Sequence, residues 1–455
     1  MYLLYSALSF VAFVLATPYF AYRALRHGKY IRGISQRLGS LPESLNADRE
    51  PSIWIHAVSV GETLTVRPLV DGLRARYPHH KLFLSTTTRA GQEVARARLA
   101  SLDGVFYFPF DWTGPVRRAL DSVCPQLFVM METELWPNLL RACRARGVRT
   151  VLVNGRLSAR SHGRYRLVRP FFRHVLADVD LLLVQGQTSA QRFVSLGADP
   201  TRVIVTGSLK FDSLDWSAAS SGDVARGRDR ILRYFRVPES RVVIMAASTL
   251  RGEELAALRA FRSVQAQVPD ALLIVAPRHP ERFDEVVQLV SQEGYRVVRR
   301  TELEIDREPA AGVIVLDTMG ELARLYKIAT VVFVGGSLVD GGGHNILEPA
   351  LFAKPVLFGP HMRNFAEIAD AFVRNGAGLQ VRDGSHLATE VLQLAGDPVR
   401  RASLGAAARA LVEANRGAKE RTLEEIERVL PPPPRDERGR VETGGHASVV
   451  PFRRG

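Results

Sequence analysis

Cysteine is nearly absent from this 455-residue chain: Cys124 and Cys143 are the only two. They form neither a zinc-ligand spacing nor a disulfide framework, so both read as packing residues in a reducing compartment. The commonest phosphate-binding signatures are also missing. No Gly-Lys-Ser/Thr follows a glycine run, which excludes a Walker A loop, and no Gly-x-Gly-x-x-Gly follows the first strand, which argues against a dinucleotide site there. No nucleic-acid module is recognisable, although the net charge is +14. The polyanion such a charge favours is then an anionic membrane or a phosphorylated substrate. Acid is lacking locally as well. Arg141, Arg144, Arg146, Arg149, Arg156, Arg160, Arg164, Arg166, Arg169 and Arg173 fall in a stretch without one Asp or Glu. Solvated helix faces normally mix both signs, so this run points to lipid headgroups or a phosphorylated lipid, with snorkelling arginine as the alternative.

Charge is missing from residues 2–22 too, and there the chain is mostly apolar. The length is about that of a membrane-crossing helix. Pro18 would bend or end it early, which leaves an interfacial helix as the second possibility and a buried core helix as a third. Arg23, Arg26, Lys29, Arg32 and Arg37 come after the apolar run, whereas a cleaved signal carries its positive charge before it. The expectation is an uncleaved N-terminal anchor with the body of the protein on the cytoplasmic face.

What is there, from residue 52 onward, is alternation. Apolar runs at Ile53–Val58, Lys81–Thr86, Val105–Phe108, Leu127–Met131, Thr150–Asn154 and Asp180–Gln185 are separated by helical periodicity. A second series follows at Val242–Ala247, Leu272–Ala276, Arg296–Arg299, Val313–Leu316, Val331–Val334 and Pro355–Phe358. Such βα alternation predicts doubly wound parallel sheets, and 46% hydrophobic content suffices for two cores. The expected fold is α/β, two Rossmann-like domains in tandem facing a central cleft. The expected borders are an anchor at 1–24, an N-terminal domain at 25–212, a linker at 213–240, a C-terminal domain at 241–430 and a disordered Pro- and Gly-rich tail at 431–455.

Polar residues at the strand ends carry the candidate chemistry. Ile53–Glu62 runs from a buried strand into a helix, and open parallel sheets bind ligands at such turns. The helix amides there favour an ionised carboxylate, so Glu62 is a candidate general base, with helix capping as the alternative. Glu132 emerges at the end of Leu127–Met131, on the same rim if both strands are parallel. Lys210, in Thr206–Asp212, would counter negative charge, with an ordinary surface lysine as the alternative. In the second series Arg278 follows a strand and suits a phosphate. Asp317–Leu322 opens a helix whose amides would meet an anion or a nucleobase. Gly335-Gly336-Ser337 and Gly341–Pro349 form a glycine-rich loop entering a helix, with Glu348 placed to accept ribose hydroxyls. Asp178-Val179-Asp180 precedes its strand and reads as a loop rather than a metal pair.

Five of these stretches, His56–Thr63, Met131–Asn138, Thr206–Asp212, Asp317–Leu322 and Gly342–Pro349, resemble the bacterial 3-deoxy-D-manno-octulosonic acid (Kdo) transferases. The likeness covers nearly the whole chain up to about residue 430. The resemblance implies a GT-B glycosyltransferase that moves Kdo from CMP-Kdo to a lipid A precursor, lipid IVA, at the inner membrane. It implies Glu62 as general base, Glu132 and Lys210 as aids to the transition state, and inversion at the anomeric carbon. Pro277, Arg278, Met319, Gly320, Glu321, Asn345, Ile346, Leu347 and Glu348 would line the CMP site, Ile346 through its backbone. No metal and no other cofactor is expected; the partners are the donor, the lipid acceptor and anionic inner-membrane lipids, not nucleic acid. The rival readings are a GT-B enzyme using a UDP-sugar on another acceptor, and a non-catalytic nucleotide-binding scaffold.

Overall fold

A computed structural model describes residues 1–27, 33–217, 231–309 and 312–431. The core of the expected linker (218–230), the expected tail from 432 on, and Lys29 and Arg32 lie outside the described residues. The chain forms two compact units, Met1–Ser213 with the stretch beginning at Gly417, and Leu214–Arg416.

Unit 1 is built on a seven-stranded sheet in the order β3-β2-β1-β4-β5-β6-β7. Its strands are β1 (Ser52–His56), β2 (Lys81–Thr86), β3 (Gly104–Tyr107), β4 (Pro125–Met131), β5 (Arg149–Gly155), β6 (Leu181–Val184) and β7 (Val203–Val205). All neighbours pair in parallel. Helices cover both faces of such a sheet, which is why β1 and β4 read as continuous apolar runs rather than alternating ones. Trp54, fully buried on β1, packs on Phe106 and Phe128 and donates its indole N–H to Ser85 Oγ at 2.7 Å. Burial of that one ring stabilises the unit by roughly 3 kcal/mol.

The last helix, Ala418–Val429, corrects the expected border at 430. Instead of closing the second domain it packs on Val60–Arg76 of unit 1. The cause is specific. Gly72 removes the side chain that would otherwise meet Leu423, since a Cβ there would lie 2.5 Å from Leu423 Cδ1. Asp212 accepts the Gly417 and Lys419 N–H groups at 2.8 Å each, capping the incoming helix.

The N-terminal apolar stretch is a helix, Tyr2–His27, which runs through Pro18. One side of it is committed to unit 1. Tyr2 donates to Asp178 at 2.7 Å, Tyr5 stacks on Phe171, Ser9 accepts from the Trp112 indole, and Phe13 meets Phe110 and Trp112. The other side exposes Leu3, Leu4, Leu8, Val11, Val14 and Leu15. Among the described residues no helix is long and apolar enough to cross a membrane. The stretch expected to act as an anchor lies, over its first thirteen residues, against the body of unit 1.

The arginine run is also partly corrected. Arg144 pairs with Asp178, Arg146 with Asp121, Arg149 with Asp180 and Arg156 with Glu132. The acids missing from the local sequence are supplied by other segments. Asp180 further accepts the Thr150 N–H at 2.8 Å, so the Asp178–Asp180 pair is structural. Arg160, Arg164, Arg166, Arg169 and Arg173 remain exposed on the helices Ala159–Leu167 and Arg169–Ala177, beside exposed Leu167 and Val168.

Unit 2 carries a second seven-stranded sheet in the order β10-β11-β9-β8-β12-β13-β14. The strands are β8 (Val243–Thr249), β9 (Leu272–Pro277), β10 (Val297–Arg299), β11 (Val313–Val315), β12 (Val331–Val334), β13 (Val356–Phe358) and β14 (Leu379–Gln380), again all parallel.

Candidate active site

In a doubly wound sheet the ligand crevice opens where the strand order reverses. In unit 1 that point lies between β1 and β4, with His56 in register with Met130. Glu62 follows β1 and Glu132 follows β4, so both expected glutamates do reach one rim. Glu62 sits in the first turn of the helix Val60–Arg76. Ser59 caps that helix: its Oγ accepts the Glu62 N–H at 3.4 Å and donates back to Glu62 Oε1 at 3.0 Å. Glu62 Oε2 accepts the Val58 N–H at 2.9 Å. The capping alternative is therefore realised, and it fixes the carboxyl rather than excluding chemistry.

The donors at the helix terminus do favour the ionised form, as expected, but burial outweighs them. Burial pushes the Glu62 carboxyl up to about 7, and the neighbouring Glu132 adds to it; the Val58 and Ser59 donors and Lys210 oppose without prevailing. Desolvation of a carboxylate outweighs the partial charge of a few amides.

Glu132 adopts φ 54°, the left-handed region that costs a non-glycine residue about 1–2 kcal/mol. The strained backbone is tied on both sides, with Glu132 N donating to Val153 O at 3.0 Å and Arg156 N donating to Glu132 O at 3.3 Å. It turns the carboxylate between two cations, 3.6 Å from Lys210 Nζ and 3.6 Å from Arg156 Nη2. Lys210 belongs to the short helix Leu209–Asp212, and burial lowers its ammonium pKa while Glu132 works against that.

Three residues of this rim are not picked out by the sequence reading. Asn154, also left-handed at φ 54°, is next to last in β5 and accepts from Leu209 N at 3.1 Å and Ser208 Oγ at 3.3 Å, which seats the turn carrying Lys210. Glu134 is raised to about 7 by burial first and by Glu62 second. His56 is fully buried, stacks on Phe108, and its pKa is pushed down to about 3 by desolvation. Its Nδ1 lies 3.1 Å from Ser85 O and 2.9 Å from Ser85 Oγ; Nε2, without a hydrogen-bond partner among the described residues, lies 3.9 Å from Glu134 Oε2. A buried polar residue at the end of each apolar run is the signal that marks His56 and Asn154.

In unit 2 the reversal point lies between β8 and β12. Here the structure changes the reading of the glycine-rich loop. The N–H groups of Gly336, Ser337 and Leu338 are not open to a phosphate: all three donate to the Glu253 carboxylate, at 2.6–2.9 Å. Open amides come later. His344, Asn345 and Ile346 donate no backbone N–H to another described residue. Asn345 accepts from Leu347 N at 3.1 Å and donates to Glu348 Oε1 at 3.0 Å, and burial raises the Glu348 carboxyl. Ile346 and Leu347 bury their side chains, leaving only their backbone to a ligand. The following helix, Leu347–Leu351, has five residues, and the one after Met319 has four, Leu322–Leu325. Neither has a macrodipole of the size the sequence reading relies on, since that field builds over several aligned turns.

Pro277 ends β9, and Arg278 next to it is exposed and makes no ion pair among the described residues; its charge acts on both Glu348 and His344. His344 is held near 4 by burial and that arginine. Met319 and Gly320 are exposed at the turn after β11, with Gly320 at φ 86°. The Glu321 carboxylate is already engaged, by Arg300 at 2.8 and 3.1 Å and by Thr318 Oγ1 at 2.7 Å, so it stiffens the turn instead of facing outward. Among the described residues no cluster of three His, Cys, Asp or Glu could hold a metal ion.

Two parallel α/β units whose strand reversals carry these groups make a GT-B-like architecture. Solved structures of the same fold include the UDP-GlcNAc 2-epimerase of Neisseria meningitidis bound to UDP-GlcNAc, with a TM-score of 0.58 at 12% identity over 83% of this chain and all of that one. Another is a putative UDP-N-acetylglucosamine 2-epimerase from Listeria monocytogenes, at 0.56, 13%, 86% and 99%. At such identities the likeness shows the fold alone. The sequence goes further. Residues 32–213 match the family model described as 3-deoxy-D-manno-octulosonic-acid transferase (kdotransferase). The 3-deoxy-D-manno-octulosonic acid transferase of Haemophilus influenzae is 34% identical over 92% of this chain and 96% of its own length; that of Bordetella pertussis is 35% identical over 82% and 86%. The chain belongs to the 3-deoxy-D-manno-octulosonic acid transferase family and is a glycosyltransferase.

Proposed function

We propose that this chain transfers Kdo from CMP-Kdo to the lipid A precursor lipid IVA in lipopolysaccharide biosynthesis, with inversion and without a metal. The observation that carries the catalytic part is Glu62: a carboxyl fixed through both oxygens, with a pKa of about 7, beside Glu132 and Lys210. A base poised near neutrality takes the proton of the acceptor hydroxyl as that oxygen attacks the anomeric carbon, and the bond to the CMP phosphate breaks on the opposite side. General-base help of this kind contributes about 10²–10⁴-fold. Lys210 and Arg156 hold Glu132 and balance the charge of a donor that carries a carboxylate and a phosphate. In unit 2, Arg278 and the amides of 344–346, which donate to no other described residue, suit the departing CMP, and the Asn345–Glu348 pair suits its ribose hydroxyls.

The same proposal places the protein at the cytoplasmic face of the inner membrane, with the helix Tyr2–His27 lying in the interface. Its apolar side and exposed Leu167 and Val168 would enter the acyl boundary, while the exposed arginines of 160–173 would meet anionic headgroups.

The test is the mass of the lipid formed from CMP-Kdo and a tetraacylated, bisphosphorylated lipid A precursor, with EDTA present. A mass increase of whole Kdo residues supports the reading. Transfer from a UDP-sugar instead, or transfer that EDTA abolishes, overturns it.

A further inference from the structure

Glu253 and Glu254 are consecutive, both buried, and open the helix Glu253–Gln265 after β8. Glu254 is spent on Arg282, at 2.7 Å, and on Thr249 Oγ1, at 2.9 Å. Glu253 has no cationic partner among the described residues; it accepts four backbone N–H groups. Leu250 N and Gly336 N reach Oε2 at 2.8 and 2.6 Å, and Ser337 N and Leu338 N both reach Oε1 at 2.9 Å. Successive amides converging on one point form an anion cradle, and this one lies where the strand order reverses, between β8 and β12. The protein's own carboxylate thus occupies the place where a phosphate sits in many open α/β sheets.

The filled cradle is tied to the donor-site segment. Gly336 O accepts the Gly343 N–H at 2.7 Å, Ser337 O accepts His361 N at 2.9 Å, and Ser337 Oγ accepts Gly359 N at 2.8 Å. Gly336 also lies under the His344 ring: a Cβ there would come within 2.7 Å of it. On the β9 side, Thr249 O accepts the Arg278 N–H at 3.0 Å. The loop whose amides Glu253 gathers is therefore the floor on which 343–348 rests.

We propose that Glu253 is a positioning residue of the donor site, a built-in anion that fills the amide cradle between β8 and β12 and so fixes the Gly343–Glu348 segment that receives the nucleotide. This rests on the donor-site reading above. With the carboxylate removed, up to four aligned N–H groups lose their acceptor, and the cradle becomes a vacant site for a small carboxylate.

The experiment uses the full chain and two variants, with CMP binding followed by calorimetry and unfolding followed by heat, each with and without formate. Glu253→Ala should bind CMP about tenfold or more weakly, a loss on the order of 1.4 kcal/mol or more. Formate should recover much of that affinity and raise the melting temperature of this variant, without effect on the parent chain. Glu253→Gln keeps one acceptor oxygen and fills the space, so it should lose affinity but gain nothing from formate. The proposal is overturned if Glu253→Ala binds CMP within twofold of the parent, or if its loss does not respond to formate. It is overturned equally if neither variant folds even with formate, because the carboxylate would then serve the unit as a whole. Should the parent chain not bind CMP, the donor-site reading fails by itself; the formate-dependent melting of Glu253→Ala still decides whether the cradle is one.

Discussion

Glu62 combines two roles that compete in most proteins. Its hydrogen bonds to Val58 N and Ser59 Oγ hold it as a capping group holds a helix, while its burial keeps the proton on up to about pH 7. That proton affinity has a sign for stability. The folded-state value lies above the ordinary 4.5, so the folded protein binds the proton more tightly than the unfolded chain. The contribution is complete below about pH 4.5 and is lost as pH rises through about 7. Glu62→Gln, which removes a charge that burial disfavours, should therefore melt no lower than the parent at pH 8, with a gain of up to a few degrees that shrinks toward pH 5; thermal unfolding at both values checks this. Asn154 is the residue-scale counterpart on the other strand. Asn154→Ala leaves Leu209 N and Ser208 Oγ without their acceptor and should cost about 1–3 kcal/mol of stability. Because it unseats Lys210, transfer should fall about 10- to 100-fold while CMP binding is kept, which steady-state kinetics and calorimetry separate.

At the scale of elements, the long parallel strands were legible because burial on both faces makes them continuous apolar runs. The two strands that escaped, β7 and β14, have three and two residues and show no period to read. What failed elsewhere failed for long-range reasons. The glycine-rich loop looks like a phosphate cradle until Glu253, far away in sequence, is found in it. The arginine run looks unpaired until Asp121, Asp178 and Asp180 are brought beside it. The N-terminal helix is apolar on two sides, and no sequence rule says that one of them is already covered by Phe110, Trp112 and Phe171. The two sides should separate by mutation. Replacing exposed Leu4, Leu8 and Val11 by Ser should release the protein from anionic vesicles in a flotation assay, with each change moving stability by no more than about 0.5 kcal/mol. Replacing Tyr5 and Phe13 by Ala should lower the melting temperature of the purified protein instead, since those rings pack on unit 1.

For the whole molecule, the chain leaves unit 1 after Ser213, builds unit 2, and returns at Gly417. Neither composition nor periodicity announces the return; it depends on Asp212 capping Gly417 and Lys419 and on the gap that Gly72 leaves for Leu423. A chain stopped at Arg416 should lose stability in unit 1, where Leu423 and Ile426 are buried, and retain it in unit 2, seen by calorimetry as one shifted and one unshifted transition. The function proposed for the molecule comes down to one carboxyl in unit 1. Its most direct test is kcat/KM for transfer from CMP-Kdo to the lipid acceptor, measured against pH for the parent and for Glu62→Gln. The parent should fall about tenfold per pH unit below about 7, and the variant should be at least about 10²-fold slower at pH 8 with CMP still bound. A Glu62→Gln protein that turns over at the parental rate, or with the same acid limb, would contradict the account.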